Sequence, residues 1–275
     1  MEINSSPEIK KIATEIRIDI VKSLAEAGSG HIGGSLGLAD VFAVLYFNVL
    51  NHKPENPKWE ERDRLILSIG HVAPVLYATL ANAGYFPKEE LLTLRKLNSR
   101  LQGHPARDKG LPGIELSSGS LGQGLSVAVG LALSAKIDKK EHRIYCITGD
   151  GELQEGSIWE SAMSAAHYKL NNLITVVDRN FCQIDGRTSR VMELEPLADK
   201  WKAFGWSVLK CNGNNIDELL NTFEKAKKIK EKPTVIIAET KMGKGIKSIE
   251  DDYRWHGKAP TKEEAIKFIG EIIKI

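Results

Sequence analysis

Apolar residues recur at the spacing of an α-helix near the start of the chain. Ser6 can cap this helix, Pro7 suits its first position and Glu8 lies in its first turn. The apolar positions then repeat every three or four residues as far as Leu24, and Gly28 is a typical helix end. Further along, short runs of apolar and β-branched residues alternate with amphipathic stretches, which predicts strands separated by helices.

The same patterns locate the remaining elements. They predict helices over Leu38–Leu50, Pro87–Leu97, Leu121–Ala135, Ser157–Tyr168 and Asn215–Ile229, and a last one from Thr261. They predict strands over Leu65–Leu67, Arg143–Thr148, Leu173–Asp178, Trp206–Lys210 and Thr234–Glu239. Apolar strands joined by helices are typical of a parallel sheet that is covered on both faces. We therefore expect an α/β fold, with a doubly wound, mainly parallel sheet and helices on both faces, in one domain over residues 1–275.

Composition argues against several classes of function. The 275 residues are 42% hydrophobic and 27% charged, as in an ordinary globular protein. A formal net charge of +2 gives no electrostatic basis for binding nucleic acid or an anionic membrane. The amino terminus lacks the apolar core of a signal peptide, so the cytoplasm is the expected location. The widely spaced Cys146, Cys182 and Cys211 argue against a disulfide framework or a zinc knuckle.

An acid flanked by glycines follows the predicted strand Arg143–Thr148. Gly149 and Gly151 flank Asp150, and glycine lets a ligand approach the backbone closely. The next predicted strand leads directly to Asn180, so both residues should lie at the ligand-binding edge of a parallel sheet. Their oxygen atoms suit Mg²⁺ or Ca²⁺, with water and phosphate oxygens as the remaining ligands. The alternative is a glycine turn next to an unrelated loop.

Three of the histidines lie beside glycine at the ends of predicted elements. These are His31, His71 and His104. Loops on a rigid scaffold often carry function, and imidazole can donate or accept a proton near neutral pH. The histidines without such a motif, for which surface or packing roles are expected, are His52, His142 and His167.

Several segments together resemble transketolases, which use thiamine diphosphate. Gly149–Gly151 followed by Asn180 is similar to the GDG…N motif of thiamine diphosphate enzymes, and GDGELQEG resembles its transketolase form. The other segments that match, in the transketolase order, are SGHIGGSLG (Ser29–Gly37), SIGH (Ser68–His71), LQGHP (Leu101–Pro105), SLGQG (Ser120–Gly124) and RWHGKAP (Arg254–Pro260). The resemblance covers most of the chain. It implies transfer of a two-carbon ketol unit from a ketose phosphate to an aldose phosphate.

The resemblance also implies how the cofactor's diphosphate would be held. Asp150, Asn180 and the backbone carbonyl of Cys182 would bind Mg²⁺, which Ca²⁺ or Mn²⁺ could replace. Gly151 would lie against the cofactor beside them.

The rest of the cofactor would contact three further residues. Gly119 and Leu121 would meet the aminopyrimidine ring, and Ile184 would pack against the cofactor. For Leu121 and Ile184, plain core packing is the alternative.

Four histidines would line the channel above the thiazolium ring, because His256 joins the three beside glycine. His31 and His256 are the candidates for the base that removes a proton from the substrate's C3 hydroxyl group. His71 and His104 would hydrogen-bond substrate oxygens, and His71 would also approach the diphosphate.

Two acids follow Asp150 in the same segment. In transketolases the acid that matches Glu155 reaches across the interface between subunits to the glutamate that activates the aminopyrimidine. Glu155 also suits the start of a helix, where the dipole favours negative charge. Glu152 is expected to have only this second role.

Full-length transketolases continue with a pyrimidine-binding domain and a carboxyl-terminal domain. The activating glutamate and the arginines that bind substrate phosphate belong to those domains. We therefore expect the amino-terminal subunit of a split enzyme, active only with a carboxyl-terminal transketolase subunit, in an α2β2 heterotetramer. The alternatives are half of another thiamine diphosphate enzyme, such as a sugar-phosphate synthase or an oxo-acid dehydrogenase, and a non-catalytic binding module.

Overall fold

The computed structural model describes residues 5–274, so the ends of the expected domain over residues 1–275 lie outside the described residues. The helices are α1 (Ser6–Ala27), α2 (Ile32–Gly37), α3 (Ala39–Val44), α4 (Ala73–Asn82), α5 (Gly124–Ile137), α6 (Gly156–His167), α7 (Thr188–Val191), α8 (Leu197–Ala203), α9 (Ile216–Lys228) and α10 (Lys262–Ile272). The strands are β1 (Arg64–Leu67), β2 (Ile144–Gly149), β3 (Leu173–Arg179), β4 (Cys182–Gln183), β5 (Gly186–Arg187), β6 (Ser207–Asn212) and β7 (Thr234–Glu239). None of the helices in this described range is both long and apolar enough to cross a membrane.

Five strands form a parallel sheet in the order β1-β2-β3-β7-β6. All their carboxyl ends therefore lie at one edge. Strands β4 and β5 form a separate two-stranded antiparallel ribbon just beyond β3. The predicted fold class, a mainly parallel sheet in an α/β protein, is confirmed.

Helices cover both faces of this sheet because successive strand residues point to opposite sides. On β2, Tyr145 and Ile147 enter a core that they share with α1, α3, α4, α9 and α10. Their neighbours Ile144 and Cys146 enter a second core with α5, α6 and α8. The strands are thus buried on both faces, which explains their nearly continuous apolar sequences.

The helix predicted over Pro87–Leu97 is wrong. Only a short 3₁₀ helix forms, over Lys88–Thr93. Arg95 then takes a positive φ of 62°, and its N–H donates to the carbonyl of Leu101 at 2.8 Å, which reverses the chain. Leu97 is 93% exposed, so the apolar pattern continues past the point where packing stops.

Helices α2, α4, α7 and α8 were not predicted. Helix α4 is buried on almost all sides, so its sequence shows no alternation of apolar and polar positions. Helix α2 contains three glycines, which usually disfavour a helix. They are needed there for close packing, since a Cβ at Gly33 would lie 2.6 Å from Met242 and one at Gly37 would lie 2.9 Å from the carbonyl of Lys241.

Two further helices differ from their predicted bounds. The stretch Leu38–Leu50 contains α3 and then a π-helical turn over Leu45–Val49. The helix predicted from Leu121 begins at Gly124, because Gly122 has a φ of 83° that a helix does not allow. Val127, on the outer face of this helix, is 37% exposed.

Candidate active site

The loops after β2 and β3 are tied together by the carboxylate of Asp150. Its Oδ1 accepts the N–H of Gly151 at 2.8 Å, and its Oδ2 accepts the N–H of Phe181 at 2.7 Å. Because Phe181 directly follows Asn180, the structure brings Asp150 to the loop that carries Asn180. Asp150 is only 1% exposed, and burial raises its pKa to about 6 although Arg179 acts in the opposite direction.

Arg179 is a site residue that sequence reasoning missed. Its buried guanidinium donates from Nη1 to Asp150 and to Thr188, both at 3.1 Å, and from Nη2 to Glu195 at 2.9 Å. A charge at the end of an apolar strand, directly before Asn180, was the available signal. The guanidinium compensates the buried carboxylate and adds positive charge where an anionic ligand would bind.

The side chain of Asn180 is held at both ends. Its Nδ2 donates to Asp178 at 2.8 Å, and its Oδ1 accepts the N–H of Cys182 at 2.9 Å. Asp178 also accepts a hydrogen bond from Thr240, and burial raises the pKa of Asp178 to about 7. The amide oxygen of Asn180 therefore faces the turn that contains the backbone of Cys182.

The donor set at this edge suits Mg²⁺. Asp150 offers a carboxylate oxygen, Asn180 an amide oxygen and Cys182 a backbone carbonyl, which are the hard ligands that this ion prefers. The thiol of Cys182 is not required, and burial raises its pKa to about 11. Beside these donors a Cβ at Gly151 would lie 3.2 Å from Gln183, so glycine permits the close packing of the two loops. The residues present thus fit a divalent metal ion.

Four histidines from separate loops meet at the same end of the molecule. The ring centroids of His31 and His71 are 5.2 Å apart, and those of His71 and His256 are 5.0 Å apart. His31 lies 5.8 Å from His256 and 6.3 Å from His104 by the same measure. The structure therefore brings together all four histidines that the resemblance assigns to the channel.

These histidines are neutral at neutral pH. Burial, with the neighbouring histidines, lowers the pKa of His31 to about 4 and that of His71 to about 3. Burial also lowers the pKa of His104 and of His256. Within residues 5–274, the buried Nδ1 atoms of His31 and His256 have no hydrogen-bond partner. Neutral imidazoles can donate and accept protons at a bound polar ligand.

The loop that contains Gly119 and Leu121 packs against this cluster. A Cβ at Gly119 would lie 3.4 Å from the ring of His104. A Cβ at Gly70, next to His71, would lie 2.8 Å from the backbone nitrogen of Gly119. Leu121 is half-buried and packs on the larger core. The loop is thus placed beside the histidines by close backbone contacts.

Ile184 lies close to the cluster, beside Gly257. A Cβ at Gly257 would lie 3.5 Å both from Ile184 Cδ1 and from His31 Nε2. The side chain of Ile184 is 61% exposed, so it does not serve core packing in this chain. Its exposed side chain forms an apolar surface next to the polar histidines His31 and His256.

Acid should destabilise the chain through His71. Its pKa is lowered from 6.5 to about 3 by burial, so the unfolded chain takes up a proton between these values while the folded chain does not. Above pH 6.5 the residue contributes nothing, and stability falls as the pH decreases below it. The wild-type protein should therefore lose unfolding free energy between pH 6 and pH 5. In His71→Gln this loss, measured by urea denaturation, should be smaller by about 1 kcal/mol. The exposed His167→Gln is the control, and an unchanged pH dependence in His71→Gln would contradict the expectation.

Glu155 and Glu152 lie in one turn but in different environments. Glu155 is exposed at the start of α6 and makes no capping hydrogen bond. Glu152 is 1% exposed, and its carboxylate accepts hydrogen bonds from Ser68 and from the N–H of Gly122. The expectation that Glu152 acts only as an acid at a helix start is therefore wrong, because its side chain turns inward. Burial raises the pKa of this carboxyl group.

Comparison with known proteins gives consistent matches over the whole domain. The family described as "Transketolase, thiamine diphosphate binding domain" matches residues 9–273. The chain is 42% identical to an apulose-4-phosphate transketolase subunit of Phocaeicola vulgatus, over 93% of this chain and 91% of that protein. It is 43% identical to the 6-deoxy-6-sulfo-D-fructose transketolase subunit SqwG of a Clostridium species, over 97% of both.

A solved structure matches the fold closely. The transketolase of Campylobacter jejuni superposes with a TM-score of 0.91 at 38% identity, over 98% of this chain. The matched region is 43% of that protein, so this chain spans less than half its length.

Proposed function

This chain belongs to the transketolase family, and we propose that it is the amino-terminal, cofactor-binding subunit of a two-chain transketolase. Two relatives named as transketolase subunits match over nearly their full length, whereas the Campylobacter transketolase is more than twice as long as the matched region. In this proposal a carboxyl-terminal subunit supplies the pyrimidine-binding part, in an α2β2 heterotetramer. The assembly acts in the cytoplasm.

The convergence of four histidines beside the Asp150 loop carries the proposal. A polyol phosphate has several hydroxyl groups that need hydrogen-bond partners, and it needs groups that move protons. The cluster of His31, His71, His104 and His256 offers such groups within ring distances of 5.0–6.3 Å. A simple oxo acid would not require so many.

The edge of the sheet would hold the cofactor. Asp150, Asn180 and the carbonyl of Cys182 would bind Mg²⁺, and the guanidinium of Arg179 would keep Asp150 anionic. When bound, thiamine diphosphate supplies an electron sink for breaking and making a carbon–carbon bond. The loop of Gly119 and Leu121 would contact its aminopyrimidine ring, and the exposed Ile184 would pack against it.

The histidines would manage the protons. His31 and His256 have lowered pKa values and are therefore neutral, so either imidazole can accept the proton of a substrate hydroxyl group. His71 and His104 would donate hydrogen bonds to substrate oxygens and orient them. The exposed Glu155 would extend toward the partner subunit.

Two-carbon transfer tests this function. The chain is assayed alone and with the product of an adjacent gene, in the presence of Mg²⁺ and thiamine diphosphate. A panel of ketose phosphates serves as donors and an aldose phosphate as acceptor. We expect activity only with both chains, and a mass that corresponds to two copies of each.

Other outcomes would support the alternatives. Cofactor binding by the assembly without transfer from any sugar donor would indicate a different thiamine diphosphate reaction. No cofactor binding by any assembly would contradict the proposal and favour a binding module. Full activity of this chain alone would contradict the split enzyme.

A further inference from the structure

A buried carboxylate links three loops at the carboxyl edge of the sheet. Glu152 lies in the 3₁₀ turn Gly151–Gln154, after β2. Its Oε1 accepts the Oγ–H of Ser68 at 2.5 Å and the N–H of Gly122 at 2.8 Å. Its Oε2 faces the N–H of Gly149 at 3.3 Å. One side chain thus joins the end of β1, the end of β2 and the loop before α5.

Ser68 extends this network to a second backbone group of the same loop. Its Oγ accepts the N–H of Gly124 at 3.1 Å. The contact is tight, since a Cβ at Gly124 would lie 2.5 Å from the Cβ of Ser68. Gly122 has a φ of 83°, and a Cβ there would lie 2.9 Å from Glu155. The loop is therefore held through its backbone amide groups, which donate to Glu152 and Ser68. Neither Gly122 nor Gly124 has space for a side chain.

We propose that Glu152 is a positioning residue that holds the segment Gly119–Gly124 in its ligand-binding conformation. This segment lies against His104 and Gly70. Its position therefore determines which backbone groups lie next to the histidine cluster. A glycine-rich loop has many accessible conformations, and ordering it during binding reduces affinity. Glu152 orders it beforehand. The part of this inference that concerns cofactor affinity rests on the proposed function.

Hydrogen exchange of the chain without cofactor tests the positioning directly. In Glu152→Ala, exchange of the Gly122 and Gly124 amides should accelerate by about tenfold or more, because their hydrogen-bonded network is broken. Ser68→Ala should release Gly124 more than Gly122, since Gly122 keeps its contact with Glu152. In Glu152→Gln the amide oxygen can still accept at the Oε1 position, so the acceleration should be smaller.

Asp63→Ala is a matched control for the loss of a structural carboxylate. Asp63 accepts the backbone N–H groups of Asn51 at 2.9 Å and of Arg143 at 2.6 Å, at the opposite end of β1 and β2. Its loss should lower overall stability without altering exchange at Gly122 and Gly124. Equal acceleration of these amides in Asp63→Ala and Glu152→Ala would overturn the inference, as would wild-type exchange in Glu152→Ala.

The affinity of the two-chain assembly for thiamine diphosphate provides the second readout. Glu152→Ala should raise its Kd by about tenfold to a hundredfold, while Asp63→Ala leaves it unchanged. At saturating cofactor, kcat should change much less than Kd. An unchanged Kd in Glu152→Ala would refute the role in affinity. A wild-type assembly that bound no cofactor would instead contradict the proposed function, and hydrogen exchange would still decide the role of Glu152.

Discussion

Asp150→Ala is expected to weaken binding of thiamine diphosphate to the two-chain assembly by roughly a hundredfold or more, because it removes the anionic ligand of the proposed metal ion. Two-carbon transfer should fall with it. The structural reason is the position of Asp150, buried between Gly151 and Phe181 at the edge where both loops meet. Calorimetric titration of the assembly with cofactor and Mg²⁺ measures the effect.

Loss of stability must be separated from loss of the ligand. Asp150→Ala leaves the buried guanidinium of Arg179 without one of its two carboxylate partners, since only Glu195 remains. Removing one partner of a buried ion pair typically costs about 3 kcal/mol, and less where a second carboxylate such as Glu195 remains, so this variant should unfold at lower urea concentration. The double variant Asp150→Ala/Arg179→Met removes both charges and should recover most of this stability. It should still fail to bind cofactor, and recovered binding would contradict the assignment of Asp150.

His256→Gln is expected to lower kcat by about a hundredfold or more while cofactor affinity stays close to the wild-type value. Glutamine can hydrogen-bond but cannot accept a proton in the reaction. The basis is the neutral, half-buried imidazole of His256, whose ring centroid lies 5.8 Å from that of His31. Steady-state kinetics of the assembly give kcat, and titration gives the affinity.

The double variant His31→Gln/His256→Gln shows whether the two histidines act on one proton. If they do, the combined loss should be much smaller than the product of the single losses. His167→Gln, at the exposed end of α6, is the control and should retain full activity. A His256→Gln variant with wild-type kcat would exclude His256 as the base and leave His31 as the candidate.

Much of the fold could be predicted because each strand of the parallel sheet is a short, nearly continuous apolar run. The strands of the parallel sheet were located within two residues at each end, and the parallel arrangement followed from the helices between them. The helix over Pro87–Leu97 failed because Arg95 adopts a left-handed conformation that no local pattern indicates. Helix α4 was missed for the opposite reason, since complete burial removes the periodicity on which such predictions depend.

The candidate site was less predictable than the fold. Asp150 and Asn180 could be expected at one edge, because parallel neighbouring strands end there. Arg179 and Glu152 could not be assigned their contacts, since both are charged residues that ordinarily lie in water. Only the packing of β1 beside β2 brings Ser68 to Glu152, and only the pairing of β2 with β3 brings Arg179 to Asp150.

The sequence by itself determined the order of the strands along the chain, the edge at which Asp150 and Asn180 lie, and the family motifs. The strands and the motifs follow from local sequence patterns. The shared edge follows because neighbouring parallel strands run in the same direction. The resemblance already implied one channel for His31, His71, His104 and His256, but only the tertiary structure decided their ring distances and their lowered pKa values. Burial and contact between distant segments cause those shifts, and both depend on how the loops pack over the sheet.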